Sequence, residues 1–221
     1  MKTAIILGAT GLTGGFLLQE LLRNKNYEKV KLFNRHSVAV KHPKIEEYLA
    51  DLFQLEDHRN EFKADVVFCC IGTTKDKTPD EETYRRIDLG IPVTAAQLAW
   101  ENNVPTFIVI SALGADKKSK MFYNRTKGEM EEQVMARRVK NTFIFRPSLI
   151  AGDRVESRVW ENIAKKVMGV LNHIFIGPLK KYRSIQPETI AKAMVIVAEK
   201  GFEKAVIPSH EIKEISTSGK S

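Results

Sequence analysis

Short apolar runs recur along the chain, each stopped by glycine or a polar cluster and most followed by residues with helical spacing. Ala4 to Leu7 is the first run. Gly8 stops it, and Leu12, Phe16, Leu17, Leu18, Leu21 and Leu22 then mark a helix. Lys29 to Phe33 reads as a second strand and Ile45 to Leu49 as a short third, which ends at Ala50-Asp51-Leu52 before a helix near Gln54. Asp65 to Ile71 is a strongly apolar fourth strand. Pro79-Asp80-Glu81-Glu82 opens a helix with acids in its first turn, and helical spacing continues through Trp100, with Pro92 predicting a kink or break near Gly90-Ile91. Val104 to Ile110 is the fifth strand. After a polar loop, Gly114 to Lys120, a long helix runs from about Met121 to Val139, and Thr142 to Phe145 forms a sixth strand closed by Arg146-Pro147-Ser148. From Arg154 the pattern loosens, with helical stretches near Arg158 to Leu171 and Pro187 to Lys200 bracketing a loop, Ile176 to Arg183.

Six apolar strands alternating with helices predict an α/β fold. The expected architecture is a doubly wound, mostly parallel, Rossmann-like sheet with helices on both faces and a small C-terminal substrate-covering region at about 148–187. The 221 residues suffice for one full core, and no internal repeat or composition break divides them, so a single NAD(P)-binding domain over 1–221 is expected, with a disordered tail at 216–221.

Composition narrows the function classes. With 28% charged and 43% hydrophobic residues the chain reads as globular rather than disordered. A formal charge of +8 invites a nucleic-acid partner, but the lysines and arginines are scattered and interleaved with acids. A solvated basic surface is the first reading and an anionic small ligand the second; nucleic acid is not expected as a partner. No apolar run approaches a membrane span, and the stretch after Lys2 is too short for a signal peptide, so a cytoplasmic protein without a membrane partner is expected. Cys69 and Cys70 are adjacent, so a strand points them to opposite faces, which suggests neither a disulfide nor a metal site.

The candidate chemistry begins in the first turn. Gly8-Ala-Thr-Gly11-Leu-Thr-Gly14 has GxxGxxG spacing directly after a strand: Gly8 permits the turn, Gly11 lets backbone approach a pyrophosphate, and Gly14 lets the helix pack on the strand. Past the second strand, where an NAD site usually places a carboxylate, stand Asn34-Arg35-His36. An arginine there can pair with a 2′-phosphate, which favours NADP(H). Asp51 either faces the adenine or caps the helix beyond it. Gly72-Thr73-Thr74 falls at the carboxyl edge of the sheet, where open α/β folds bind ligands.

Tyr123 and Lys127 lie four residues apart on one helix face. A cation beside a phenol favours the phenolate, the same lysine can reach the nicotinamide ribose, and Ser111 at the neighbouring strand end can hold a substrate oxygen. Together they form a hydride-transfer set. A second copy of the spacing, Tyr27 and Lys31, runs from a loop into a strand and cannot act in the same way.

These blocks, together with Cys70-Ile-Gly-Thr-Thr74, Ile110-Ser-Ala-Leu-Gly-Ala-Asp116, Tyr123-Asn-Arg-Thr-Lys-Gly-Glu129, Phe145-Arg-Pro-Ser-Leu-Ile150 and Asp153-Arg-Val-Glu-Ser-Arg158, resemble an atypical short-chain dehydrogenase/reductase. The nearest likeness is to the branch of Tat-interacting-protein-like oxidoreductases and their small bacterial relatives. The resemblance implies that Thr10, Gly11, Leu12 and Thr13 lie along the cofactor phosphates, with Arg35 and His36 at the 2′-phosphate end and Asp51 and Leu52 near the adenine. It further implies that Ile71, Gly72 and Thr73 touch the cofactor, that Ser111, Tyr123 and Lys127 are catalytic, and that Pro147, Ile150 and Arg158 close over the nicotinamide half. Asp88 stands where relatives carry a supporting polar residue, with capping or packing as its other roles. The expected activity is NADP-dependent hydride transfer to or from a small carbonyl or alcohol substrate. The alternative is a cofactor-binding regulator with little turnover. Residues from Trp160 to Ile185, including Phe175, Leu179, Lys181, Tyr182 and Arg183, are pocket candidates that suit an aromatic ketone or an acidic metabolite, and the long helices offer a homodimer face.

Overall fold

The computed structural model describes residues 1–151 and 184–218. The first apolar run forms β1 (Lys2–Leu7), paired in parallel with β2 (Tyr27–Asn34) on one side and β4 (Val66–Cys69) on the other. β3 (Ile45–Leu49) extends the sheet past β2, while β5 (Thr106–Ile110), β6 (Asn141–Arg146) and β7 (Val206–Pro208) extend it past β4. Every pairing is parallel, in the order β3-β2-β1-β4-β5-β6-β7. The doubly wound architecture therefore matches the expectation, with one strand more than the six read from the sequence. β7 has three residues and ends in Pro208, which a sheet edge tolerates but which hides the strand from a pattern of apolar runs.

Side chains alternate across the sheet because successive strand residues point to opposite faces. Ala4 and Ile6 join one core, covered by α1 (Leu12–Arg23), α5 (Pro187–Lys200) and α6 (Ser209–Ser218). Ile5 and Leu7 join the other, covered by a 3₁₀ helix (Leu52–His58), α3 (Ile91–Glu101) and α4 (Phe122–Ala136). The adjacent cysteines part in the same way, Cys69 into the second core and Cys70 against the first, and both thiols are free. α6 corrects the expected disordered tail: burial of Ile212 and Ile215 holds the helix through Ser218. Residues 219–221 lie outside the described residues.

Pro92 does not break its helix. α2 (Glu81–Arg85) is capped by Asp80, which accepts from the Thr83 amide at 2.7 Å, and passes into a π turn, Arg86–Gly90, which runs straight into α3. Pro92 falls in the first turn of α3, where its missing N–H costs little, and the Ile91 amide reaches back to the Arg86 carbonyl in the wider π pattern. The strand order reverses between β1 and β4, and ligands of open α/β sheets bind at the carboxyl ends of strands at such a reversal.

Candidate active site

The turn after β1 is built for close backbone contact. Gly8 has φ +87°, a conformation that side chains rarely adopt, and its carbonyl accepts from the Gly11 amide at 3.0 Å. A Cβ on Gly14 would lie 2.1 Å from the Gly8 carbonyl oxygen, so only glycine lets α1 press onto the turn. Gly11 occupies the N-cap position of α1 and brings no capping side chain, which leaves the first amides of the helix for a ligand.

A cleft of about 750 Å³ opens at the strand-order reversal. Its walls include Thr10, Gly11, Leu12 and Thr13 from the glycine turn, Ile71, Gly72 and Thr73 beyond β4, and Asp88, Ser111, Tyr123, Lys127 and Ile150. Residues 140 positions apart in sequence are thereby brought to one space. Ile150 reaches it from beyond β6, held by a parallel bridge to Ile185.

The remaining expected site residues stand elsewhere. Arg35 and His36 are exposed just past β2. Asp51 caps the 3₁₀ helix, accepting from the Phe53 amide at 3.0 Å, and Leu52 is buried. Pro147 is buried, with its carbonyl accepting from the Leu113 amide at 2.9 Å. Arg158 and the pocket candidates Trp160, Phe175, Leu179, Lys181, Tyr182 and Arg183 lie outside the described residues. A carboxylate that sequence reasoning passed over packs against the Arg35 loop. Glu47 on β3 accepts from the Asn34 side chain at 3.2 Å, the Val38 amide at 2.8 Å and the Ser37 hydroxyl at 2.5 Å, so its oxygens are taken up in shaping the loop.

Tyr123 and Lys127 occupy the first turns of α4, the phenol two-fifths exposed and the ammonium buried. Gly128 permits this placement, because a Cβ there would lie 2.1 Å from the Lys117 amide nitrogen in the loop before the helix. Lys127 Nζ sits 2.7 Å from Asp88 Oδ1, and Asp88 Oδ2 accepts from the Thr73 amide at 2.7 Å. Burial opposes the lysine's charge most strongly. The charge of Asp88, then that of an ionised Tyr123, and the Asp88 hydrogen bond outweigh it and hold the ammonium above the ordinary lysine range. Asp88 is therefore an ion-pair partner rather than a cap.

Ser111 directly follows β5, almost fully buried, and its hydroxyl donates to Glu131 of α4. The same carboxylate accepts from Arg146 Nε at 2.9 Å and Nη2 at 2.5 Å. Sequence reasoning missed Glu131 and Arg146, although Tyr123, Lys127 and Glu131 repeat every four residues along one helix stripe. The second tyrosine–lysine pair is set apart as expected. Tyr27 is buried, its phenol raised by burial and by Glu199 and Asp65, and Lys31 donates to the Glu61 carbonyl at 2.8 Å.

A family model described as NAD(P)H-binding matches residues 8–169. The rat protein HTATIP2 is 34% identical over 174 residues, covering 77% of this chain and 72% of its own length. The mitochondrial protein FMP52-1 of Scheffersomyces stipitis is 29% identical over 97% of both chains. Among solved structures, the Bordetella bronchiseptica enzyme WbmH in complex with NAD+ superposes with a TM-score of 0.72 at 15% identity, over 99% of this chain and 80% of that one. UDP-glucuronic acid 4-epimerase from Bacillus cereus, in complex with NAD, gives 0.68 at 16%, over 93% of this chain and 76% of that one. At these identities the two structures establish the fold alone. The cytoplasmic expectation is corrected: several relatives, from S. stipitis, Aspergillus niger and Meyerozyma guilliermondii among others, are mitochondrial proteins. Among the described residues no helix is long and apolar enough to cross a membrane.

Proposed function

Because this chain belongs to the NAD(P)H-binding family, in the atypical short-chain dehydrogenase/reductase branch with HTATIP2 and FMP52, we propose that it is an NADP-dependent oxidoreductase acting on a small carbonyl or alcohol substrate. One observation carries this reading: the uncapped glycine turn and the Tyr123–Lys127 pair open into the same cleft at the sheet's reversal point. The turn's amides suit a diphosphate, since bare glycines and a free helix start present N–H groups where a side chain would intrude. Bound NADP(H) would supply or accept the hydride.

The residues of this chain do the rest. Tyr123 gives the substrate oxygen a proton in reduction and takes it back in oxidation, Lys127 stabilises the phenolate by charge, and Ser111 stands beside the oxygen. Preference for the 2′-phosphate is supported by exposed Arg35 and His36 past β2, and by Glu47, which is too fully engaged with Asn34, Ser37 and Val38 to receive ribose hydroxyls.

Fluorescence titration with NADPH and NADH tests the cofactor. Arg35→Ala should weaken NADPH far more than NADH; equal losses would remove Arg35 from the 2′-phosphate. Tyr123→Phe should abolish turnover on a carbonyl panel while leaving NADPH affinity intact, and retained turnover would count against the assignment. A second reading, a cofactor-binding regulator with little turnover, is favoured by the Ser111 hydroxyl, whose one proton is directed to Glu131 rather than to a substrate oxygen. It predicts tight NADPH binding with no oxidation of the cofactor in a single-turnover experiment across that panel.

A further inference from the structure

The loop between β4 and α2 carries two lysines, Lys75 and Lys77, and its backbone gives them different surroundings. The Cys70 amide donates to the Leu7 carbonyl at 2.9 Å, and a Cβ on Gly8 would stand 3.1 Å from the Cys70 carbonyl oxygen, so the chain leaves β4 hard against the glycine turn. From there the loop is tied down step by step. Asp88 accepts from the Thr73 amide at 2.7 Å, the Tyr84 hydroxyl donates to the Thr73 carbonyl at 3.3 Å, and the Thr73 and Thr78 hydroxyls meet at 2.9 Å. The Thr74 carbonyl accepts from the amides of Lys77 and Thr78, at 3.0 and 2.9 Å, which closes a tight turn.

Lys75 is engaged within the protein: it pairs with Glu81 at 2.9 Å and lies 4.8 Å over the Phe122 ring. Lys77 is exposed and lines the cleft, and no carboxylate among the described residues pairs with it. The charged side chains among the described walls of that cleft are Lys77, Asp88 and Lys127. Asp88 and Lys127 offset each other at 2.7 Å, which leaves the ammonium of Lys77 as the net charge beside the open amides of the glycine turn. Both features suit an anion with several oxygens.

We propose that Lys77 binds the cofactor diphosphate, its ammonium reaching the phosphate oxygens from the loop beyond β4 while the glycine turn beyond β1 supplies backbone amides. The role rests on the cofactor-binding reading above and adds a side-chain charge to a site otherwise described by amides alone. The sheet order places β4 and β2 on opposite sides of β1, so Lys77 stands apart from Arg35 and His36 past β2 and is suited to the diphosphate rather than the 2′-phosphate. A diphosphate is common to NADPH and NADH. Lys77 therefore sets affinity for both without choosing between them, and the preformed turn spares the ordering of a loop on binding.

Fluorescence titration of the full chain tests this with NADPH and NADH directly, and with ADP-ribose and 2′-AMP by displacement of NADPH. The first three carry a diphosphate and the last does not. Lys77→Met should weaken those three by a common factor of about tenfold and leave 2′-AMP within about twofold. Lys77→Arg should restore most of the loss, and added KCl should weaken NADPH binding more steeply in wild type than in Lys77→Met. Because the side chain is exposed, the urea midpoint of Lys77→Met should match wild type, which separates lost binding from lost folding. Unchanged affinity for the three diphosphate ligands overturns the proposal. So does a loss confined to NADPH, which would put Lys77 at the 2′-phosphate, or an effect seen only as a raised KM for acidic members of the carbonyl panel, which would assign it to the substrate. Absence of NADPH binding by wild type would sink the cofactor reading itself. Wild-type binding that Lys77→Met fails to weaken would sink the role of Lys77 alone.

Discussion

Two carboxylate–cation pairs are anchored one turn apart on α4, at Lys127 and at Glu131, and they differ in what they leave unsatisfied. Asp88 meets Lys127 in a pair whose side chains are 1% and 5% exposed. Glu131 meets Arg146 in a pair of which the arginine is about a third exposed, and it also accepts from Ser111. Arg146 grips both carboxylate oxygens, so the Glu131 cluster is geometrically closed. An ammonium has three donors, and the cleft side of Lys127 remains for a ribose or a phenolate. One pair is dry and open toward a ligand, the other partly wet and internally complete. The first suits a site whose charge must act on something else, and the second suits a brace that sets the end of β5 against α4.

Breaking each pair on one side should expose the contrast. The largest effect is expected from Lys127→Met, which strands the buried Asp88 carboxylate with the Thr73 amide as its partner. Loss of one member of a fully buried pair costs about 3–5 kcal/mol, readable as a shift in the urea midpoint at constant m-value. Glu131→Ala should cost less, about 1–3 kcal/mol, because Arg146 can turn its exposed edge to water while Ser111 loses its acceptor. If Glu131→Ala proved the more damaging, the assignment of the first pair to function and the second to bracing would have to be exchanged.

How much of this was legible beforehand follows the range of each interaction. The glycine turn could be read because three glycines at fixed spacing follow an apolar run, and Tyr123 with Lys127 because a helix brings every fourth residue to one face. The ion pair of Asp88 could not be read from the residues themselves; the resemblance pointed to Asp88 only as a supporting polar residue, with capping or packing as its other roles. Asp88 is 39 positions from Lys127, and it faces inward through a π turn, Arg86–Gly90, whose one sequence cue was Pro92, read as a kink or break near Gly90-Ile91 rather than as a change of helical pitch. Glu131 was visible as the next step of the Tyr123–Lys127 stripe, but its partners lie on β5 and β6, and only the parallel register of those strands brings Ser111 and Arg146 together. The compartment failed for another reason: charge and hydropathy describe how a surface meets water, and they do not say on which side of an organelle membrane it does so.

Raising the pH separates the two pairs without mutation. The folded-state pKa of Lys127 lies above its unfolded value of 10.5, so its contribution is fully present below pH 10.5 and is lost as pH rises through the folded value. Arg146 stays charged throughout that range, so the Glu131 cluster persists. Buried Tyr27 and partly buried Tyr48, the latter raised to about 12 by burial and Glu46, weaken the fold in the same direction as they ionise. The lysine's share is therefore the difference between wild type and Lys127→Met in alkaline urea titrations. It should be a slope of at most about 1.4 kcal/mol per pH unit above pH 10.5 in wild type that Lys127→Met lacks. Parallel curves would mean that Lys127 is not held charged by the fold.

The smallest effect is expected just outside both pairs, and it guards the comparison against a trivial explanation. Lys117 and Glu132 form an ion pair beside the Glu131 cluster, with side chains 49% and 56% exposed, on the rim of a shallow cleft of about 320 Å³ that Arg146 also lines. Exposed charges gain little from meeting, since water and salt already screen them and two long side chains must be ordered. Lys117→Ala should shift stability by less than about 0.5 kcal/mol and leave the alkaline slope assigned to Lys127 unmoved, as read by the same urea titrations. A loss comparable to that of Glu131→Ala would show that the whole charged rim of α4 acts as one network, and the contrast between an open pair and a closed one would no longer describe this helix.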